Sequence, residues 1–216
     1  MGTPAQTAEK KRKAIVYIDG FNLYFAMREK GWRSFMWLDL IKLSRRLLCE
    51  DQELVHVRYF TSRIKNDVEK QKRQNKYLDA LGTLDPTILK IHYGDYQSNN
   101  FPCTSCGYEI KDQQEKQTDV NIATYMLLDS FTTDKVDDII LVTADSDQVP
   151  AVKACRILKK NVLVVLPPGR GDYFELKKFS DSHLELTAKK FKDSRLPESI
   201  PVGAYTIECP TKWRER

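Results

Sequence analysis

The sequence predicts an α/β domain built on a mostly parallel sheet whose two faces are covered by helices. Short runs of apolar, β-branched residues recur along the chain, and segments with helical spacing of their apolar residues separate them. Continuous apolar strands of this kind are typical of parallel sheets that are buried on both faces. The length of 216 residues fits one domain with short extensions. We assign residues 1–13 to a basic, disordered tail, 14–190 to the folded domain and 191–216 to a C-terminal extension.

The first half of the chain reads as alternating strands and helices. The run AIVYI is bounded by charged residues and by Asp19-Gly20, which is typical of a buried strand, and Ser34 is a suitable cap for an amphipathic helix. The predicted elements are, in order, a strand at 14–18, a helix from Ser34 to about residue 48, a strand at 54–60, a polar helix at 66–82 and a strand at 88–94.

The second half continues the alternation after an irregular segment, which we predict to be a long loop. The C-terminal extension contains three prolines and no periodicity, so we expect a tail that is mobile or packed along the surface. The predicted elements are the loop at 95–116, a helix capped by Thr118 and running to about residue 130, a strand at 138–143, a helix with Pro150 in its first turn, a strand at 161–166, a helix at 173–179 and a strand at 183–186.

Composition excludes several classes of protein. With 41% hydrophobic and 30% charged residues, the chain is neither disordered nor fibrous. No apolar stretch approaches the length of a membrane span, and the polar N-terminus does not resemble a signal peptide. The five cysteines are an odd and sparse set, which argues against a disulfide framework. We therefore expect a cytoplasmic protein without a membrane partner, and the sequence is compatible with an oligomer.

The net charge of +5 is unevenly distributed. Residues 1–13 and 61–76 are basic, whereas the remainder of the chain is slightly acidic. On the helix at 66–82 and just before it, Lys65, Lys72 and Lys76 recur at helical spacing, and Arg73 lies beside them. Such a stripe suits sequence-independent contact with a phosphate backbone, although for a run of charge alone a solvated helix face is the simpler explanation. Tyr77 of the same helix could stack on an unpaired base or pack in the core.

Four aspartates are expected at one rim of the sheet, where open parallel sheets bind ligands. Asp19 ends the first predicted strand, Asp145 and Asp147 follow the strand at 138–143, and Asp119 lies in the first turn of the helix after the loop. Taken singly, each is better explained as a cap of a turn or a helix. Together, like charges at one rim are tolerated when a cation neutralises them, and carboxylates suit Mg²⁺ or Mn²⁺. Such ions serve phosphate-ester hydrolysis.

Other catalytic motifs are missing from the sequence. It contains no phosphate-binding G-x-x-x-x-G-K-[ST] loop, no G-x-G-x-x-G after a strand and no G-x-S-x-G elbow. Its three histidines, His56, His92 and His183, are isolated within or beside predicted strands. We interpret each of them as structural.

Three separated motifs resemble those of the NYN domain, a PIN-like nuclease family that includes the LabA-like proteins. They are VYIDGFNLY at 16–24, EKQTDVNIA at 115–123 and LVTADSDQVPAVK at 141–153. The resemblance implies a three-layer α/β/α sandwich, an acidic cluster that holds Mg²⁺ or Mn²⁺, and cleavage of RNA. It assigns the acidic, catalytic positions to Asp19, Asp119, Asp145 and Asp147.

The same resemblance assigns supporting positions. Asn22 and Thr143 match polar positions of the motifs, Ser146 lies between the last two aspartates, and Lys116 falls where a basic residue commonly precedes the helix aspartate. Lys116 could contact the scissile phosphate or be a solvated loop lysine. The third motif departs from the family pattern, because Ala144 replaces a common glycine and Gln148 a common aromatic residue. These departures bear on substrate choice.

Cys103 and Cys106 have the spacing of half a structural zinc site. A complete site would need His92, Cys209 or another protomer, so two free thiols in the loop are the simpler interpretation.

The leading functional hypothesis from the sequence is a Mg²⁺- or Mn²⁺-dependent endoribonuclease that acts on single-stranded or structured RNA. Two alternatives remain: an RNA-binding or regulatory module with a vestigial site, and a Mg²⁺-dependent phosphatase that acts on a small phosphorylated metabolite.

Overall fold

The computed structural model describes residues 10–65, 67–102, 104–132, 136–169 and 173–214. A six-stranded parallel sheet runs through its centre, with the order β3-β2-β1-β6-β7-β8. Its strands are β1 (Arg12–Asp19), β2 (Gln52–Thr61), β3 (Leu89–Tyr93), β6 (Asp138–Val142), β7 (Asn161–Leu166) and β8 (Ser182–Glu185). Two antiparallel hairpins lie outside this sheet: β4 (Asp95–Pro102) with β5 (Glu109–Lys116), and β9 (Ser199–Val202) with β10 (Tyr205–Glu208).

Helices cover both faces of the sheet, which confirms the predicted three-layer α/β/α sandwich. The helices are α1 (Gly20–Glu29), α2 (Leu40–Arg45), α3 (Val68–Leu81), α4 (Thr118–Phe131), α5 (Val149–Ile157), α6 (Phe174–Phe179) and α7 (Ala188–Lys192). Buried residues of α1, α2, α3 and α7 pack with one face of the sheet, and those of α4, α5 and α6 pack with the other. Within the described residues, no helix combines the length and the apolar character needed to cross a membrane.

The central strand β1 shows why the sequence folds in this way. Its side chains alternate between the two cores: Ala14, Val16 and Ile18 contribute to one, and Ile15 and Tyr17 contribute to the other. All five side chains are fully buried. An apolar run without polar alternation is therefore required for a strand in this position, as the sequence pattern indicated.

The strand order places a topological switch point at the carboxyl end of β1. From β1 the chain first builds β2 and β3 on one side, then crosses to β6, β7 and β8 on the other. The connections that leave β1 and β6 therefore diverge, and they leave a crevice at this edge of the sheet, which is where such folds bind ligands.

Three local predictions were wrong. Helix α1 was missed, because GFNLYFAMRE follows the strand without a linker; its cap is Asp19 itself, whose side chain accepts from the Asn22 N–H. The helix expected from Ser34 is instead a 3₁₀ turn at Arg33–Met36 followed by the short helix α2, which Asp39 caps. The loop expected at 95–116 contains the β4–β5 hairpin.

The C-terminal extension was also predicted wrongly, because it contributes to the core. Residues of α7 and of the segment around β9 and β10 pack on the face that carries α1 and α3. Phe191 is fully buried, and Leu196, Ile207 and Trp213 are nearly so. The prolines of this extension suggested an irregular tail, but Pro201 is accommodated in a two-stranded hairpin.

Candidate active site at the carboxyl edge of the sheet

Asp19 lies at the end of β1 and is almost completely buried. Its Oδ1 accepts from the Asn22 N–H at 3.0 Å, and its Oδ2 accepts from Asn22 Nδ2 at 2.6 Å and from Thr143 Oγ1 at 2.8 Å. Burial raises the pKa of Asp19, while these hydrogen bonds oppose the increase. The predicted supporting residues Asn22 and Thr143 therefore both orient this carboxylate.

The connection after β6 brings Asp145 next to Asp19. The Thr143 hydroxyl that donates to Asp19 also accepts from the Asp145 N–H at 3.1 Å. Asp145 Oδ1 accepts from the Asp147 N–H at 3.0 Å and caps the 3₁₀ turn Ser146–Gln148, which leads directly into α5. The capping interpretation of Asp19 and Asp145 is thus correct, and it is compatible with a site because it fixes both carboxylates in place.

Asp119 approaches from the other side, in the first turn of α4. The cap of this helix is Gln117, in a left-handed conformation, and not Thr118 as predicted. The side chain of Gln148 is buried, and its Nε2 donates to the Asp119 carbonyl at 3.2 Å. Gln148 therefore ties the start of α4 to the turn that carries Asp147.

The four carboxylates form one electrostatic cluster. Partial desolvation and the negative charges of Asp19, Asp145 and Asp147 raise the pKa of Asp119 to about 6. Among the residues that the structure describes, however, no group of three or more His, Cys, Asp and Glu side chains forms a ready-made metal site. Mg²⁺ usually keeps several waters and binds one or two carboxylates together with substrate phosphates, so this donor set fits a hydrated ion rather than a closed cage.

The remaining predicted residues of the site lie around this cluster. Ser146 and Asp147 are exposed on the 3₁₀ turn, and Lys116 is exposed at the end of β5, two residues before the start of α4. Gly94, before β4, lies where a Cβ would meet Thr118 and the Lys116 carbonyl. The base of the hairpin is therefore packed tightly against the start of α4, close to Asp119.

Nothing in the described residues completes a zinc site around the loop cysteines. Cys103 lies outside the described residues, and Cys106 is an exposed free thiol. The two predicted helpers are engaged elsewhere. His92 stacks on Phe60 and meets Tyr125 at a tilt, with ring-centroid distances of 4.9 and 4.1 Å, and Cys209 is buried in the core.

The predicted basic stripe is divided between two environments. Lys72 is exposed and pairs with Glu69 at 3.2 Å, and Lys76 is exposed. Lys65 and Arg73, by contrast, line a pocket between α1 and α3. Glu69 therefore pairs with Lys72, which leaves the Arg73 guanidinium available to the pocket.

This pocket, which we call the α1–α3 pocket, has a volume of about 450 Å³. Gly20, the residue after Asp19, lines it, as do residues from β2, α3 and the C-terminal extension. Aromatic side chains form much of its wall, including Tyr24, Tyr59 and Trp213. Sequence reasoning missed the pocket because α1 was missed, and because its residues come from distant parts of the chain.

The fold and the acidic crevice define a PIN-like, nuclease-type α/β/α domain. The model of the NYN domain family matches residues 13–187, and the chain belongs to this family.

Two individual proteins are similar to the chain. A 6-hydroxy-3-succinoylpyridine 3-monooxygenase from Pseudomonas putida is 27% identical in an alignment of 235 positions. The alignment covers 92% of this chain and 74% of the relative. The crystal structure of a protein of unknown function from Vibrio parahaemolyticus superimposes with a TM-score of 0.56 at 19% identity, and covers 88% of this chain and 99% of that chain. At 19% identity, the similarity to the Vibrio protein supports the fold alone.

Proposed function

We propose that the protein is a divalent-metal-dependent endoribonuclease. The observation that carries the proposal is the convergence of four carboxylates at the switch point of the sheet, from the end of β1, the turn after β6 and the start of α4. Membership of a nuclease-type family supports it, and RNA is the typical partner of NYN domains.

The four aspartates form two pairs with different parts in this proposal. Asp19 and Asp145, which the Thr143 hydroxyl links, would hold a hydrated Mg²⁺ or Mn²⁺, and Asp119 and Asp147 would complete the negative rim. A bound divalent ion supplies Lewis-acid chemistry at the phosphodiester. Lys116, which is exposed near the start of α4, would contact the RNA phosphate.

The test is cleavage of single-stranded and hairpin RNA with Mg²⁺ or Mn²⁺. We expect Asp145→Asn to lower the rate by at least about 10²-fold, as does the loss of an essential electrostatic group in other active sites. Asp79→Asn is the matched control, because Asp79 is an exposed aspartate of α3, far along the helix from the site. The proposal is wrong if Asp145→Asn and a chelator both leave the wild-type rate unchanged.

The name of the Pseudomonas relative suggests a second candidate function, oxygenation of an aromatic acid. The observation in its favour is the α1–α3 pocket, whose aromatic wall and basic rim also suit a ring with a carboxylate. The discriminating measurement is turnover of 6-hydroxy-3-succinoylpyridine by purified protein supplied with O₂ and a nicotinamide reductant. Consumption of the reductant that depends on this substrate would favour oxygenation.

A further inference from the structure

We propose that the α1–α3 pocket holds one unpaired nucleotide of a single-stranded RNA, with its base inside and its phosphate at the basic rim. The inference rests on the proposed ribonuclease function and names the form of RNA that the site accepts: a strand with at least one unstacked base beside the scissile phosphate.

The size and lining of the pocket fit a base. Its volume of about 450 Å³ lies within the range of about 300 to 1,000 Å³ that is typical of small-ligand sites. Tyr24, Tyr59, Tyr77 and Trp213 contribute aromatic surface. Tyr77 and Trp213 meet edge to face with ring centroids 6.1 Å apart, so the C-terminal extension closes this part of the wall. Unpaired bases bind to proteins largely by stacking on such rings.

The rim carries unneutralised positive charge. Lys70 pairs with Asp67 at 3.0 Å, and Lys65 pairs with Asp95 at 3.6 Å. Arg28 of α1 and Arg73 of α3 also line the pocket, and among the described residues neither has a carboxylate within 4.0 Å. Guanidinium groups bind phosphate through paired hydrogen bonds, so two of them at one rim match an anionic group attached to the base.

The position of the pocket links it to the acidic cluster. Gly20 lines the pocket and directly follows Asp19, so their Cα atoms are about 3.8 Å apart. None of the four aspartates lines the pocket, but the pocket reaches the residue next to Asp19, so the proposal directs the neighbouring phosphate of a bound nucleotide toward the cluster. A purely local aromatic pocket elsewhere on the surface would have no such relation to the site.

Two polar side chains that line the pocket already have hydrogen-bond partners within the protein. The Gln74 amide is already used, since it accepts from the Ile64 N–H at 2.8 Å and donates to the Ser62 carbonyl at 2.7 Å. The Tyr77 hydroxyl donates to the Leu38 carbonyl at 2.9 Å. Neither of these two side chains is therefore available to recognise a particular base.

The experiment uses the full chain carrying Asp145→Asn, in chelator, so that binding is measured without cleavage. The probes are single-stranded hexauridylates in which the fluorescent base 2-aminopurine replaces one uridine at successive positions. We expect emission to change strongly at one position. Arg73→Gln and Arg28→Gln should each weaken binding about five- to tenfold and reduce the salt dependence by about one phosphate contact. The matched control is Arg33→Gln, an exposed arginine outside the pocket.

The outcomes separate the pocket from the proposed activity. Uridine monophosphate should compete with the oligonucleotide, whereas benzoate should not. Binding that is insensitive to both pocket arginines, an emission that changes at no position, or binding of benzoate in place of the nucleotide would overturn the inference. If RNA is cleaved normally and one of these results is obtained, the pocket assignment fails and the nuclease stands. If emission responds as expected and no RNA is cleaved with any metal, the proposed activity fails and the pocket assignment stands.

Discussion

Replacing Gly20 by alanine tests how closely α1 packs against the sheet. A Cβ at this position would lie 2.5 Å from the Phe60 carbonyl oxygen and 2.7 Å from a ring carbon of Tyr59, whereas ordinary contacts are 3.4–4 Å. One of these neighbours is backbone, so the start of α1 must move by roughly 1 Å. Overpacking of this kind costs about 1–3 kcal/mol. The better helix propensity of alanine returns less than about 1 kcal/mol, since Gly20 is the first helical residue.

We therefore expect Gly20→Ala to lower the free energy of unfolding by about 1–2 kcal/mol, measured by urea titration followed by circular dichroism. Because Asp19 directly precedes this position, a displacement of about 1 Å should also reduce any activity of the site about 10²-fold. Gly82→Ala is the control: it places alanine at the end of α3, with a helical φ of −65° and the nearest atom at 3.2 Å. Equal stabilities of Gly20→Ala and wild type would refute the reasoning.

Two further predictions concern the buried groups behind the site. Arg58 donates to both Asp129 oxygens at 2.6 and 2.7 Å, and Tyr17 donates to one of them at 2.7 Å. In urea titrations, Asp129→Ala should therefore lower the free energy of unfolding by about 3 kcal/mol, and Tyr17→Phe should lower it by about 1 kcal/mol. Equal losses for the two variants would contradict this hydrogen-bond network. Burial and Arg58 lower the pKa of His92 from 6.5 to about 4, so the unfolded chain binds this proton first and the stability of the wild type relative to His92→Gln should fall as the pH drops from 6.5 to 4. The raised pKa of Asp119 acts in the opposite direction in both proteins and cancels in this difference. The difference should change by less than about 1.4 kcal/mol per pH unit, because the ring is partly exposed, and a difference that does not vary with pH would exclude His92 as a source.

The parallel sheet was predictable because its signals are local. Each inner strand is a short apolar run, and burial on both faces requires that pattern. The β4–β5 hairpin was not, because DYQSNNFP and EIKDQQEK are mostly polar and lack the apolar alternation that marks a half-buried strand. Helix α1 was missed for a different reason: its cap, Asp19, is also the last residue of β1, so no linker announces the change of structure.

The candidate site was predictable in its residues but not in its connections. The rule that ligands bind at the carboxyl edge selected Asp19 and Asp145 from the sequence. The Thr143 hydroxyl, which joins these two carboxylates, was suggested only by the resemblance, and the role of Gln148 was not foreseen. Both depend on the register between β1 and β6 and on the packing of α4, which no single segment encodes.

The β4–β5 hairpin also affects how this fold can vary in length. The chain leaves β3 at Gly94 and enters α4 after Gln117, and the strand residues nearest these points, Asp95 and Lys116, are paired with each other. The hairpin thus forms a sheet of its own and adds no strand to the central one. The two ends of the hairpin already meet. Residues can therefore be added to the hairpin or removed from it without altering the register of the strands in the central sheet. The constraint is confined to its base, where the backbone at Gly94 leaves no room for a side chain next to Thr118.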